Sequence, residues 1–216
     1  MTSKKHNVKG ASDFVTAAYE LEDEASMQSF YANWASDYDQ QMIGNLKYVA
    51  PDVLAQYLIQ YIADFNARVL DIGCGTGLAV RSMHKAGYRD LHGMDLSAEM
   101  LAVANSRGFY AQTYCMNACD PFPMEDESFD AVICAGTFTH GHVGSEPLTE
   151  IARVLKPSGL LACAVHQDLW QAKGFEQTFE SLEADGILQC VSRDRAVYFE
   201  GSEPEGWYCY YKKCKL

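Results

Sequence analysis

Long apolar runs are missing from this chain, and without one it has no segment able to span a bilayer as a helix, which needs about 20 consecutive apolar residues. No apolar stretch follows the charged start Met1-Thr2-Ser3-Lys4-Lys5-His6, so no secretory signal is read there. Both absences point to a cytoplasmic protein with no membrane partner. Basic residues are scarce: 17 Lys and Arg stand against 29 Asp and Glu, a formal net charge of −12. Lys212, Lys213 and Lys215 form the only basic run. A surface that tracks phosphates needs clustered Lys and Arg, so no nucleic-acid partner is expected. An acidic balance favours neutral or cationic small partners. The eight cysteines contain no C-x-x-C pair, which argues against a zinc site, and no metal is expected. They lie in strand-like runs such as Ala162-Cys163-Ala164, where reduced cysteine acts as a small hydrophobe. Internal repeats and low-complexity stretches are also lacking. Nothing in the pattern reports an oligomeric state.

What is present suits one domain, residues 1–216, with one core. Helical spacing predicts segments at about 12–22 and 26–42, with Ser12 and Ser26 as N-caps. A third helix starts near Pro51, whose apolar positions Val53, Leu54, Tyr57, Leu58, Tyr61 and Ile62 share a face. These form an N-terminal helical part, residues 1–66. From residue 67 strands and helices alternate. Strands are predicted at Ala67–Ile72, Leu91–Asp95, Phe109–Cys115, Ala131–Ala135 and Leu160–Val165. Helices are predicted at about 78–87, from Ser97 to Arg107, at about 146–155 and at about 173–185. Such alternation implies parallel βαβ units in a doubly wound α/β sheet. Ile187–Phe199 and Trp207–Lys213 read as a closing antiparallel hairpin, which brings the sheet to seven strands, most of them parallel.

The run Val69-Leu70-Asp71-Ile72-Gly73-Cys74-Gly75-Thr76-Gly77 sets three alternating glycines between a strand and a helix. Glycine permits close backbone approach to a ligand, and the helix start offers N–H groups to a carboxylate. A dinucleotide fingerprint, G-x-G-x-x-G, would need glycine where Leu78 stands. Asp95 ends the next strand. Its two oxygens can accept from both hydroxyls of a ribose, or the residue can simply cap the helix that follows.

These segments resemble the class I S-adenosylmethionine-dependent methyltransferases. Val69 to Gly77 is similar to their first motif, and Leu91 to Ser97 with Met100-Leu101 to their second. Ile151 to Gly159 is similar to the helix and turn before their fifth strand. The whole chain further resembles the methyltransferase-like family named for the Williams–Beuren syndrome region, through Phe30 to Asp39 and Glu205-Gly206-Trp207-Tyr208. The resemblance implies a Rossmann-like core over residues 67–216 and S-adenosylmethionine as cofactor. It implies that Asp71, Gly73, Gly75 and Gly77 wrap the methionine moiety and that Asp95 binds the ribose. Leu96 and Met100 would lie against the adenine, with Asn117 and Ala118 at its edge. Ala135 and Gly136 would line the cofactor beyond the fourth strand. Tyr31, Trp34 and Tyr38 precede the core, where related enzymes close a segment over the cofactor. An aromatic lid excludes water and offers ring faces to a sulfonium; the same helical spacing also suits plain core packing.

Methyl transfer from a sulfonium chiefly needs an aligned, desolvated nucleophile, with a base only where that nucleophile carries a proton. Ligands of open α/β sheets bind beyond the strands' carboxyl ends. His140 and His142 follow the fourth strand there and are the candidate catalytic bases, or bind substrate by hydrogen bonds. His166 is a lesser candidate. The tetrapeptide that accompanies amine methylation of bases in these families is absent after the fourth strand. The expected activity is therefore methylation of N, O or S in a small molecule. The alternative is a protein methyltransferase or a low-turnover cofactor-binding module.

Overall fold

The structure is a computed structural model that describes residues 15, 17, 18, 21, 24–139 and 143–215. Strand β1, Val69–Ile72, sits at its centre and shows how the sheet is built. Side chains alternate across a strand. Leu70 and Ile72 enter one core, and Val69 enters the other. A strand that is apolar on both faces must be covered on both. Helices α2 (Ala50–Tyr61) and α3 (Leu78–Ala86) cover the Val69 face with Leu54, Leu58, Val80 and Met83. Ala131, Ala162 and Ala164 are small on that face, which lets α2 approach. Helices α5 (Pro147–Val154), α6 (Gln167–Ala172) and α7 (Phe175–Ala184) cover the other.

The remaining elements are α1 (Glu24–Trp34), β2 (Leu91–Asp95), α4 (Ala98–Ser106), β3 (Gln112–Cys115), β4 (Phe129–Phe138), β5 (Leu155–His166), β6 (Leu188–Ala196) and β7 (Gly206–Lys213). The seven strands lie in the order β3-β2-β1-β4-β5-β7-β6. Strands β1 to β5 pair in parallel; β7 runs antiparallel to both β5 and β6. This is the expected doubly wound α/β sheet with its antiparallel end. The register pairs Val69 with both Leu91 and Ala131, so Gly73, Asp95 and Gly136 come out on one edge.

Several local expectations are corrected. The helix expected over 26–42 is broken: α1 ends at Trp34, a turn covers residues 35–37, and a π-helical turn covers Gln40–Asn45. Ser26 lies inside α1 rather than capping it, and Ser12 lies outside the described residues. The break swings the chain from the top of the cavity towards β4, where the Tyr48 hydroxyl donates to the Ala135 carbonyl at 2.6 Å. The helix expected over 173–185 forms as α7, and a separate helix that was not expected, α6, precedes it, the two divided at Gly174. Trp170 and Phe179 are nine residues apart and would face about 180° away from each other on one helix. With the division their rings stack, centroids 5.9 Å apart. The third strand begins at Gln112 rather than Phe109, because Phe109 and Tyr110 turn inward against His84 and Asp71. Helix α2, read with the N-terminal part, packs as a full member of one helical layer.

Candidate active site

Four loops at the carboxyl ends of β1, β2, β3 and β4 enclose a cavity of about 170 Å³, with α1 packed across its top. In the first loop Gly73 has φ 62°, and a Cβ there would lie 1.7 Å from Thr137 Oγ1. Thr137 in turn donates to the Ile72 carbonyl at 2.9 Å. Only glycine lets the ends of β1 and β4 lock together this way. Gly75 has φ 51°, and nothing lies within 4 Å of where its Cβ would be. That space belongs to the cavity. Gly77 has φ 92° and is the N-cap of α3; it packs against Tyr110 and forms no part of the cavity wall.

Asp95 binds the first two loops together. Its Oδ2 accepts from the Gly75 amide at 2.8 Å and its Oδ1 from the Ser97 amide at 2.9 Å. The Leu96 amide also donates to this carboxylate, and with three of its four acceptor sites taken it keeps acceptor capacity on the cavity wall. Ser97 itself caps α4, accepting from the Met100 amide at 3.2 Å. Burial raises the Asp95 carboxyl, and the three backbone hydrogen bonds oppose the rise. Leu96, Met100, Asn117 and Ala118 line the same side.

Asp71 lies beneath the glycine loop and is almost wholly buried. The Tyr110 hydroxyl donates to its Oδ2 at 2.6 Å, while Oδ1 has no hydrogen-bond partner among the described residues. Burial pushes this carboxyl up to about 7; the Tyr110 bond pulls the other way, and Asp95 adds to the rise. Tyr31 comes from α1 to the cavity wall, and its hydroxyl is pushed up to about 12 by burial and then by Asp95. Tyr38 joins that wall. Trp34 does not: it is buried behind Tyr31, with its Nε1 donating to Gln41 Oε1 at 3.0 Å. Gly136 lines the cavity, but Ala135, expected beside it, lies in the α2-side core and contributes only its carbonyl to Tyr48. Among the described residues no His, Cys, Asp and Glu group has the arrangement of a metal site.

Residues that sequence reasoning passed over complete the wall: Met27, Gln28, Met94, Ser97, Met116, Cys119, Thr137, Thr139 and Val143. Helix phase could have found two of them, since Met27 and Gln28 lie four and three residues before Tyr31. Gln28 Nε2 donates to the Leu96 carbonyl at 3.0 Å and so ties α1 to the second loop. Asp39 was also unread. Its Oδ1 accepts from Thr76 at 2.6 Å and its Oδ2 pairs with Arg107 at 2.7 Å, which clamps the N-terminal segment to the glycine loop and the end of α4.

A smaller cavity of about 40 Å³ adjoins the first and shares Tyr31, Tyr38, Gly136 and Thr139 with it. His140 and His142 lie outside the described residues. His166 ends β5 away from both cavity walls; it is buried and accepts from the Asp168 amide at the start of α6, 3.3 Å away.

Comparison with known proteins agrees with this arrangement. A methyltransferase domain family matches residues 70–163. Methyltransferase-like protein 27 of Homo sapiens is 34% identical over 181 residues, 81% of this chain and 73% of that protein. Demethylmenaquinone methyltransferase of Tropheryma whipplei is 32% identical over 145 residues, 65% of this chain and 59% of the relative. In fold, the chain matches the Burkholderia thailandensis 1,6-didemethyltoxoflavin-N1-methyltransferase, solved with S-adenosylhomocysteine, at a TM-score of 0.63 and 17% identity, over 90% of this chain and 92% of that one. Sequence relationship, sheet order and glycine loop agree, and the chain belongs to the class I methyltransferases that use S-adenosylmethionine.

Proposed function

We propose that this methyltransferase acts on a small-molecule N, O or S nucleophile by in-line transfer. The observation that carries the reading is the position of the cavity under α1. The exposed large apolar residues among those described are Val53, Tyr61, Phe65 and Val191, and none of them lines the cavity. A protein acceptor is better served by an apolar patch at the pocket mouth. The net charge of −12 disfavours nucleic acid on the same physical grounds as before.

The residues suit the cofactor. Asp95 has acceptor capacity left for a ribose diol, Gly75 leaves room for close backbone approach, and the orphaned Oδ1 of Asp71 suits a cationic donor near the methionine end. Leu96, Met100, Asn117 and Ala118 would hold the adenine, with Tyr31 and Tyr38 closing over it. S-adenosylmethionine supplies a methyl group on a good leaving group. The protein then has to exclude water and align the acceptor, which the packing of Met27, Gln28 and Tyr31 over the loops favours. His140 or His142 is the proposed base for a protonated acceptor, since Thr139 and Val143 on either side of that stretch line the cavity.

Calorimetric titration with S-adenosylmethionine, S-adenosylhomocysteine and NAD, followed by incubation of a cell extract with methyl-labelled S-adenosylmethionine, tests the reading. Binding of the first two ligands alone, with label in the low-molecular-weight fraction, is expected. Label confined to protein would replace the acceptor class, and a preference for NAD would overturn the cofactor assignment.

A further inference from the structure

The 40 Å³ cavity has a chemistry distinct from its larger neighbour. Its wall is mostly aromatic: Trp34 and Tyr31 from α1, Tyr38 and Tyr48 from the chain after it, and Tyr198 and Phe199 just past β6, with Val15, Ala18 and Met42 filling between them. No described residue on the wall carries a charge. Neither the glycine loop nor Asp95 reaches it. Its contact with the larger cavity runs through Tyr31, Tyr38, Gly136 and Thr139, between that cavity and the loop from β6 to β7. Two chain-distant segments hold it in shape. Tyr48 and Phe199 form a β-bridge with rings 5.4 Å apart, and the Val49 amide donates to the Tyr198 carbonyl at 2.8 Å.

We infer that this aromatic cavity receives the methyl acceptor and selects an uncharged aromatic one, presenting a ring edge with its N, O or S atom towards Gly136 and Thr139. The inference deepens the small-molecule reading and rests on it. The volume admits a few water-sized groups, which fits the edge of a ring and not a peptide. Aromatic side chains favour aromatic guests through edge and offset contacts. A cation is the rival guest, since ring faces attract cations. Here the faces are engaged with each other: Tyr31 stacks with Trp34 at 6.0 Å, and the edge of Tyr38 meets Trp34 at 4.8 Å. An ammonium would lose its water and meet no carboxylate among the described residues of the wall. An anion would meet no basic side chain among the described residues of the wall. The uncharged ring is the guest that surrenders least hydration.

The test uses three guests built on one ring: phenol, benzoate and benzyltrimethylammonium. Each is titrated calorimetrically into protein saturated with S-adenosylhomocysteine, at pH 7. Phenol is expected to bind, and the two charged rings to bind at least about tenfold more weakly. Phe199→Ala, which alters only the smaller cavity, should weaken phenol about tenfold while leaving S-adenosylhomocysteine affinity unchanged; that unchanged affinity also reports a folded variant. Binding of either charged ring as tightly as phenol overturns the inference. So does phenol binding indifferent to Phe199→Ala, or no binding of any ring to the loaded protein. Failure to bind S-adenosylhomocysteine would overturn the cofactor reading and this one together. Methyl label entering protein alone, with phenol still bound, would overturn the small-molecule reading and leave an aromatic acceptor group in place.

Discussion

Residues 71–97 build one half of the active site from two consecutive strand–loop–helix turns, and most of its contacts are to backbone: Gly75 and Ser97 amides on Asp95, the Met94 carbonyl on the Cys74 amide. The other half draws Tyr31, Tyr48 and Phe199 from opposite ends of the chain and is made of side chains. The first half is local, polar and crowded with hydrogen bonds; the second is assembled at a distance, apolar and held by ring contacts. A cofactor with fixed groups suits a rigid backbone cradle, while acceptor choice can vary with a few side chains on the far wall.

The comparison breaks most severely at the glycine loop. Gly73→Ala is expected to cost more than about 2 kcal/mol of stability, because a left-handed backbone strains any residue with a Cβ and this one overlaps Thr137. Thermal unfolding checks it, and adding Thr137→Ala should restore part of the loss. Gly75, at φ 51°, carries the same backbone strain but no overlap, so Gly75→Ala should lose less stability than Gly73→Ala and should weaken cofactor binding besides. If both variants lower the melting temperature equally, the distinction between a locking and a ligand-facing glycine fails.

Asp95→Ala should weaken S-adenosylhomocysteine by about 1.5–3 kcal/mol through loss of a charged acceptor. Titration calorimetry measures this directly, and phenol binding to the other half gives the contrast. An unchanged cofactor affinity would leave Asp95 as a brace between loops and nothing more.

The polarity of the first half also gives it a pH dependence that the second lacks. The Asp71 carboxyl stands at about 7 in the folded chain, against 3.8 unperturbed. Below the lower value it is protonated in both states. Between the two values the folded chain keeps a proton that the unfolded chain releases, so its contribution to stability falls as pH rises through that window. Asp71→Asn should therefore gain stability relative to the unchanged protein from pH 4 to pH 7, as read by denaturant midpoints. Parallel midpoints across the range would refute the buried-proton account.

The smallest expected effect lies at the join between the N-terminal segment and the loops. Asp39→Ala removes the bonds to Thr76 and Arg107 and should weaken cofactor affinity by about 1 kcal/mol. Asp39→Asn, still able to accept from Thr76, should recover part of it in the same titration.

Much of the local half was legible because its signals sit within a few residues of one another. Gly87 closes α3 in a left-handed conformation, and Ser97 caps α4 through its hydroxyl. The alternation of strands and helices gave the sheet class. Long-range partners were not legible. Tyr110 finds Asp71 and Asp39 finds Thr76 only after β2, β3 and the N-terminal segment are packed. Helix α6 was hidden for a related reason: Trp170 meets Phe179 only once α6 and α7 pack against each other across Gly174. The family resemblance placed Ala135 with Gly136 beside the cofactor, but alternation along β4 turns its side chain to the α2 face.

By itself the sequence determined the doubly wound class, the glycine loop and the acidic residue ending β2, because strand period, helix caps and left-handed glycines are properties of neighbouring residues. Tertiary structure alone decided that β7 inserts between β5 and β6, that α1 lies across the larger cavity, and that a smaller, mostly aromatic cavity adjoins it. Those outcomes depend on which apolar surfaces meet in space, a choice made by burial across the whole chain and not by the spacing of residues along it.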